Sequence, residues 1–288
     1  MSDEETAAAI LEAAVNAGSR EERIKRNPLW SRYFRKILLR RDSLEYRDSP
    51  LALDALSLLT ERGILKAETT ILDIGAGTGR FALPFARKVK SLTALDICGE
   101  ALDILKENAA AEGLGNTETR NGVWEEYADP SKYGFVFAAL CPVICNREEL
   151  LKMESLSRGY CGMIAPSRGS RSKNRHALRL LLSEKPLPGL SAEVRLLYDL
   201  LYAMGRRPGV FNYPVEHSTD TMTVDEALEL YTMYYEIFGF TGEKTAEIIR
   251  AYIADNQKDG YLEDETDLSP ALLFWKTPDS NLGGNYDR

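Results

Sequence analysis

Two carboxylates and three closely spaced glycines carry the most specific chemistry in this chain. Ile71-Leu72-Asp73-Ile74 is a short apolar run interrupted by one acid, and Gly75-Ala76-Gly77-Thr78-Gly79 follows it at once. A second acid, Asp96, closes the next apolar run, Leu92-Thr93-Ala94-Leu95. This pattern predicts a strand, a tight turn and a helix start, then a second strand ending in a carboxylate. Glycine lets a ligand approach the backbone, a helix N-terminus offers free N–H groups, and a carboxylate at the neighbouring strand end can grip a ribose diol. A dinucleotide fingerprint would place its third glycine three residues after the second, where this chain has Arg80. Asp73 would repel a pyrophosphate and attract an ammonium. The turn therefore favours a cationic amino acid–nucleoside over NAD, and an NAD-dependent oxidoreductase stays as a remote alternative.

Further candidates lie downstream. The run Ala138-Ala139-Leu140-Cys141-Pro142-Val143-Ile144-Cys145 ends the predicted fourth strand. Cys141 reads either as a wall of a substrate pocket or as a small buried residue. With Cys145 and Cys161 it could in principle bind a metal, but the spacing is not C-x-x-C and no histidine lies near in sequence, so no metal is expected. Glu216 and His217, after Tyr213-Pro214-Val215, are candidates for a general base, or else a solvated loop pair. Tyr213 belongs with the substrate-pocket candidates. Trp30, Tyr33, Phe34, Ile37 and Leu38 fall at helical spacing with Arg32, Arg35, Lys36 and Arg40 between them. That segment reads as a lid closing over a ligand through Trp30 or Tyr33, or as a packed helix with a solvated basic face.

Asp73-x-Gly-x-Gly-x-Gly79 followed by Leu95-Asp96 closely resembles the first two motifs of class I S-adenosylmethionine-dependent methyltransferases, over roughly residues 69–165. The resemblance implies a seven-stranded, mostly parallel α/β sheet with S-adenosylmethionine across its carboxyl edge. It implies that Asp73 and the backbone of Gly75, Ala76, Gly77 and Gly79 face the methionine end. Asp96 would take the ribose hydroxyls and Ile97 would flank the adenine. The loop Asn121-Gly122-Val123-Trp124 would close over the adenine edge. The family often has an acid near Asn121, so base recognition would fall to that amide or to the Val123 backbone. Leu140 would stand where the methyl is transferred. Family members that methylate nucleobase amino groups commonly carry Asn/Asp-Pro-Pro-aromatic there. Leu140-Cys141-Pro142-Val143 departs from that pattern, and its Cys-Pro order does not match the Pro-Cys nucleophile of pyrimidine-carbon methylation. The implied reaction is direct methyl transfer to a small-molecule acceptor. The alternatives are an RNA or protein acceptor, or a non-catalytic binder of the cofactor.

The elements that must position these residues follow from periodicity. Residues 5–17 and 29–41 read as helices, and Asp48-Ser49-Pro50 starts another through Leu59. Strands are expected at 70–74, 92–96, 116–121, 135–140 and 159–166, with helices at 78–89, 100–112 and 147–157 between them. Such alternation means a doubly wound parallel sheet. Beyond it, 169–174 reads as a loop, 185–189 as a helix break and 210–217 as a strand. Helices follow at 223–238 and 244–253, then an acidic turn at 262–268 and a last strand at 271–276. The chain divides into a helical cap or lid (1–63), a Rossmann-like cofactor-binding core (64–166) and a helical elaboration with the last strands (167–288). The 288 residues are 44% hydrophobic and 28% charged, ordinary for a globular chain. No run reaches the roughly 20 apolar residues of a membrane span, the first residues are acidic, and cysteines number four, so a cytoplasmic protein with free thiols is expected. Net charge is -8, yet residues 20–41 hold nine Lys/Arg against two acids, and 166–183 hold five against none. Those two segments are where an RNA or protein acceptor would dock.

Overall fold

The computed structural model describes residues 2–15, 18–40, 49–183 and 192–278. Three helices come first: α1 (Asp3–Val15), α2 (Arg20–Arg40) and α3 (Pro50–Glu61). Strands and helices then alternate through β1 (Thr70–Ile74), α4 (Ala82–Ala86), β2 (Ser91–Asp96), α5 (Gly99–Ala111), β3 (Thr117–Asn121), β4 (Tyr133–Ala139), α6 (Arg147–Ser155) and β5 (Ser157–Ser172). The remainder comprises α7 (Lys173–Leu182), α8 (Val194–Ala203), β6 (Gly209–Asn212), β7 (Glu216–Thr223), α9 (Val224–Glu236), α10 (Glu243–Asn256) and β8 (Tyr261–Lys276). The sheet runs β3-β2-β1-β4-β5-β8-β6. β3 through β5 are parallel, and β8 runs antiparallel to β5 and β6. This seven-strand path is the expected α/β sheet, to which β7 adds an eighth strand paired to the first half of β8.

Side-chain parity explains why both faces need helices. Leu72, Val136, Met163 and Leu273 pack with α1, α6 and α8 on one face. Ile71, Phe135, Ile164 and Leu272 pack with α3, α4 and α5 on the other. Alternate strand residues therefore bury on opposite sides, as a sheet covered twice requires. A third core lies beside the sheet, where Tyr33 of α2 meets Leu178, Leu230, Tyr235, Ile249 and Leu262. The first three helices thus serve three different surfaces.

Several local expectations change. The helix expected over 78–89 contracts to α4, because Gly75, Gly77 and Gly79 take φ of 71°, 55° and 98° and hold the preceding residues in turns. Pro84 then falls within the first turn of α4, where a missing N–H costs nothing. The loop expected at 169–174 is the end of β5 and the start of α7. β8 pairs with it through Asp267 and Thr266, and Ser172 caps α7 by accepting from Arg175 N at 3.1 Å. The acidic turn expected at 262–268 is strand instead: Glu263, Glu265 and Asp267 face solvent while Leu262 and Asp264 are buried. Its two-residue period becomes decisive once β7 pairs beside it. The strand expected at 210–217 splits into β6 and β7 around Pro214, which has no N–H for a ladder. Ser49 precedes α3 with Pro50 at its first position, but its hydroxyl accepts from Arg80 Nε at 2.8 Å rather than from the helix. Asp48 and the break at 185–189 lie outside the described residues.

Candidate functional site

β1 and β2 deliver their carboxyl ends side by side, with Ile74 paired to Leu95. The backbone then turns sharply: Gly75 N and Ala76 N both donate to Leu95 O, at 2.8 and 3.1 Å. Asp96 braces the turn from the neighbouring strand, accepting from Gly77 N and from Cys98 N at 2.8 Å each. Burial pushes the Asp96 carboxyl upward, and these backbone donors pull the other way. Asp73 lies beneath the turn at 2% exposure. Burial, with the Asp96 charge adding to it, raises its carboxyl to about 8. A Cβ on Gly77 would meet nothing within 4 Å, so glycine there leaves space open rather than filling a packing need. Gly79 differs, since a Cβ would stand 2.9 Å from Leu83 Cγ. It lets α4 close onto α5.

The adjacent strand end completes an enclosure. Leu140 takes φ 51°, a left-handed conformation a branched side chain adopts only at a cost of roughly 1–2 kcal/mol. Its N–H is fixed to Ile164 O at 2.7 Å. Such strain tends to collect at functional sites. The turn brings Cys141 against Gly75, and loss of solvent pushes its thiol up to about 12. Between the glycine turn and this segment lies a cavity of about 250 Å³. α2 forms the facing wall with Arg23, Asn27, Trp30, Phe34 and Ile37, one stripe at spacings of four and three. Trp30 stacks on Phe34 at 5.4 Å, and Phe238 meets Trp30 edge-on at 6.3 Å.

Beneath the α2 end of the cavity sits a buried ionic cluster. Glu149 accepts from Arg23 and from Trp124 Nε1, the latter at 2.6 Å. Glu125 is 3.6 Å from Arg23 Nε and accepts from Asn27 Nδ2 at 3.3 Å. Lys152 holds the Trp124 carbonyl and lies 4.4 Å over its indole; burial pushes its ammonium down. On the loop after β3, Asn121 Nδ2 donates to the carbonyls of Asp96 and Ile97, at 3.1 and 3.0 Å. That amide shapes the strand-end loop from within.

Residues 71–156 match the family model described as a methyltransferase domain. By that match they form a methyltransferase domain. Curated relatives include a "Probable ribosomal RNA small subunit methyltransferase A" of Methanosphaera stadtmanae, 38% identical over 63 residues, 22% of this chain and 23% of that protein. A tRNA (uracil-5-)-methyltransferase homolog A of Mus musculus is 32% identical over 79 residues, 27% of this chain and 13% of that protein. The chain thus spans less than a quarter of the length of these relatives. Among solved structures, YcgJ of Bacillus subtilis superposes with a TM-score of 0.49 at 14% identity, over 78% of this chain and 98% of that one. A coclaurine N-methyltransferase bound to N-methylheliamine and SAH gives 0.46 at 12% identity, over 95% and 94%.

Of the residues read from sequence in this methyltransferase domain and its surroundings, Gly75, Gly77, Asp96, Ile97, Gly122, Trp124, Leu140, Cys141 and Trp30 line the cavity. Asp73, Ala76, Gly79 and Val123 do not line it. Tyr33 turns away from it, buried 5.5 Å from the Tyr234 ring in the third core. Tyr213 packs against the sheet at 8% exposure, its hydroxyl without a hydrogen-bond partner. Glu216 pairs with Arg80 at 3.2 Å, and His217 pairs with Asp267 at 2.7 Å on the open face of β7. Neither lines the cavity. The sequence reading missed Arg23, Arg26, Asn27, Phe238 and Glu125. The 4-3-4-3 spacing from Arg23 to Ile37 could have flagged the α2 residues, whereas nothing local marks Glu125. Among the described residues, no three His, Cys, Asp or Glu side chains group so as to hold a metal. Among the described residues, no helix is long and apolar enough to cross a membrane.

Proposed function

We propose that the protein transfers the methyl group of S-adenosylmethionine directly to a small-molecule acceptor held in the cavity. The residues present fit the cofactor: an open glycine turn, a braced carboxylate at the second strand end, and apolar side chains of Ile97, Leu140 and Trp30 around the space between. Asp96 would take the ribose hydroxyls, and the backbone from Gly75 to Gly77 the methionine end, above Asp73. When bound, S-adenosylmethionine supplies an electrophilic methyl on a sulfonium, so no protein nucleophile is needed. The chain's own part is to hold donor and acceptor in line and to exclude water. α2 serves the second purpose by roofing the strand ends.

The observation that carries the small-molecule reading is the state of α2's basic residues. Arg32 pairs with Glu236, Lys36 with Glu229, Arg35 with Glu100 and Lys25 with Glu21. Arg32, Lys36 and Arg35 thus tie α2 to α9 and α5, and Lys25 is paired within α2, so these charges are matched rather than left for phosphates. In the second basic segment, Lys173 lies 3.8 Å from Glu265 and Arg175 stacks over Tyr234 at 5.3 Å. The RNA-methyltransferase names of the partial relatives keep the other reading testable. Calorimetry should register S-adenosylmethionine and S-adenosylhomocysteine binding. Turnover should change less than about threefold between 50 and 200 mM salt, where an RNA acceptor touching several phosphates would lose orders of magnitude. A wild-type protein that binds neither ligand refutes the proposal.

A further inference from the structure

The buried ionic cluster under α2 divides its hydrogen bonds unevenly between its two carboxylates. Arg23 commits one terminal nitrogen to Glu149 and the other to Gly18 O at 3.2 Å. Its Nε is buried without a hydrogen-bond partner, 3.6 Å from Glu125. Glu149 is doubly held, by Arg23 and by Trp124 Nε1. The Glu125 carboxylate has only the long 3.3 Å bond from Asn27, although the residue is 5% exposed. Among the described residues, no other cation hydrogen-bonds or ion-pairs with that carboxylate. Lys152 lies on the Trp124 carbonyl and indole, and Arg20 donates to the backbone carbonyl of Glu125 at 2.6 Å, not to its carboxylate. Arg26 also lines the cavity. A buried carboxylate with one long hydrogen bond has acceptor capacity left over, and a charged N–H donor fills it best. Glu125 lines the cavity, and the Trp30 and Trp124 rings line it too. Aromatic faces beside a carboxylate favour an organic cation.

Resting on the methyltransferase reading above, we propose that Glu125 determines acceptor specificity, and that the acceptor is a ring-bearing amine whose cationic nitrogen meets Glu125 while its ring lies along Trp30 and Phe34. Glu125 and the Arg23–Glu149 pair then form one unit, in which Arg23 orients the carboxylate without neutralising it. The donor carries positive charge as well, so the test must separate the two sources.

S-adenosylhomocysteine is titrated first, and its failure to bind would refute the methyltransferase reading itself. The protein saturated with it is then titrated at pH 7 with phenethylamine, 2-phenylethanol and 3-phenylpropionate, three probes of similar shape and different charge. The amine should bind about tenfold or more tightly than the other two. Glu125→Gln should erase that preference while leaving S-adenosylhomocysteine affinity within about threefold. If Glu125→Gln does not fold, Glu125→Asp withdraws the charge and should weaken the amine about three- to tenfold. Equal binding of the three probes, tighter binding of the carboxylate, or no binding of the amine overturns the proposal. So does a Glu125 variant that weakens S-adenosylhomocysteine as much as the amine, because the cation partner would then be the donor.

Discussion

Gly75→Ala tests whether the donor turn is glycine for steric reasons. The native φ of 71° costs an L-residue roughly 1–2 kcal/mol. The new Cβ would also stand 2.5 Å from Cys141 Sγ and 3.1 Å from Cys141 Cβ, so the Cys141 side chain must turn away or a strand end must shift. Overpacking of that kind adds about 1–3 kcal/mol, for a total loss of about 2–5 kcal/mol. Urea unfolding of the wild type and the variant measures the sum. The two contributions separate in a double-mutant cycle with Cys141→Gly. Removing the opposing side chain relieves the clash but leaves the dihedral cost, so the pair should be about 1–3 kcal/mol more stable than the two single losses added together. A Gly75→Ala loss under about 0.5 kcal/mol, or a cycle with no coupling, would refute the claim that β1 and β4 meet through this contact.

Gly77→Ala should behave differently, because nothing lies within 4 Å of its Cβ position. It should lose only the roughly 1–2 kcal/mol of its dihedral yet weaken S-adenosylhomocysteine sharply, as calorimetry would register. Asp96→Ala removes the acceptor for Gly77 N and Cys98 N as well as the proposed ribose partner, and donor affinity should fall about ten- to a hundredfold. Asp73 gives a pH signature, its carboxyl raised from 3.8 to about 8 by burial and by Asp96. The folded state holds this proton where the unfolded chain releases it, so Asp73 makes stability fall as pH rises from about 4 to about 8. Asp73→Asn should flatten that slope in denaturation curves taken across the window, and an unchanged slope would contradict the assignment. Tyr213→Phe removes a buried hydroxyl that lacks a hydrogen-bond partner. Thermal unfolding should find it neutral or up to about 1 kcal/mol more stable, with activity unchanged.

The strand ends proposed to hold the donor were legible in the sequence because their determinants are local. Asp73, the three glycines and Asp96 are tied to strand ends by short-range backbone geometry, and parallel pairing of β1 with β2 is enough to bring them together. The alternating core was legible for the same reason, since a two-residue period names the buried face without any partner. What tertiary structure decided is everything that depends on a neighbour far along the chain. Residues 262–268 look like an acidic turn until β7 lies beside them. Residues 169–172 look like a loop until β8 pairs with them. The basic run of α2 resembles an anionic docking surface until Glu100, Glu229 and Glu236 meet it from α5 and α9. Glu216 and His217 keep the chemistry of a base, but β7 carries them away from the cavity. Glu125 shows no local sign of a role, and matters only because Arg23, about a hundred residues earlier, closes over it and is already committed to Glu149.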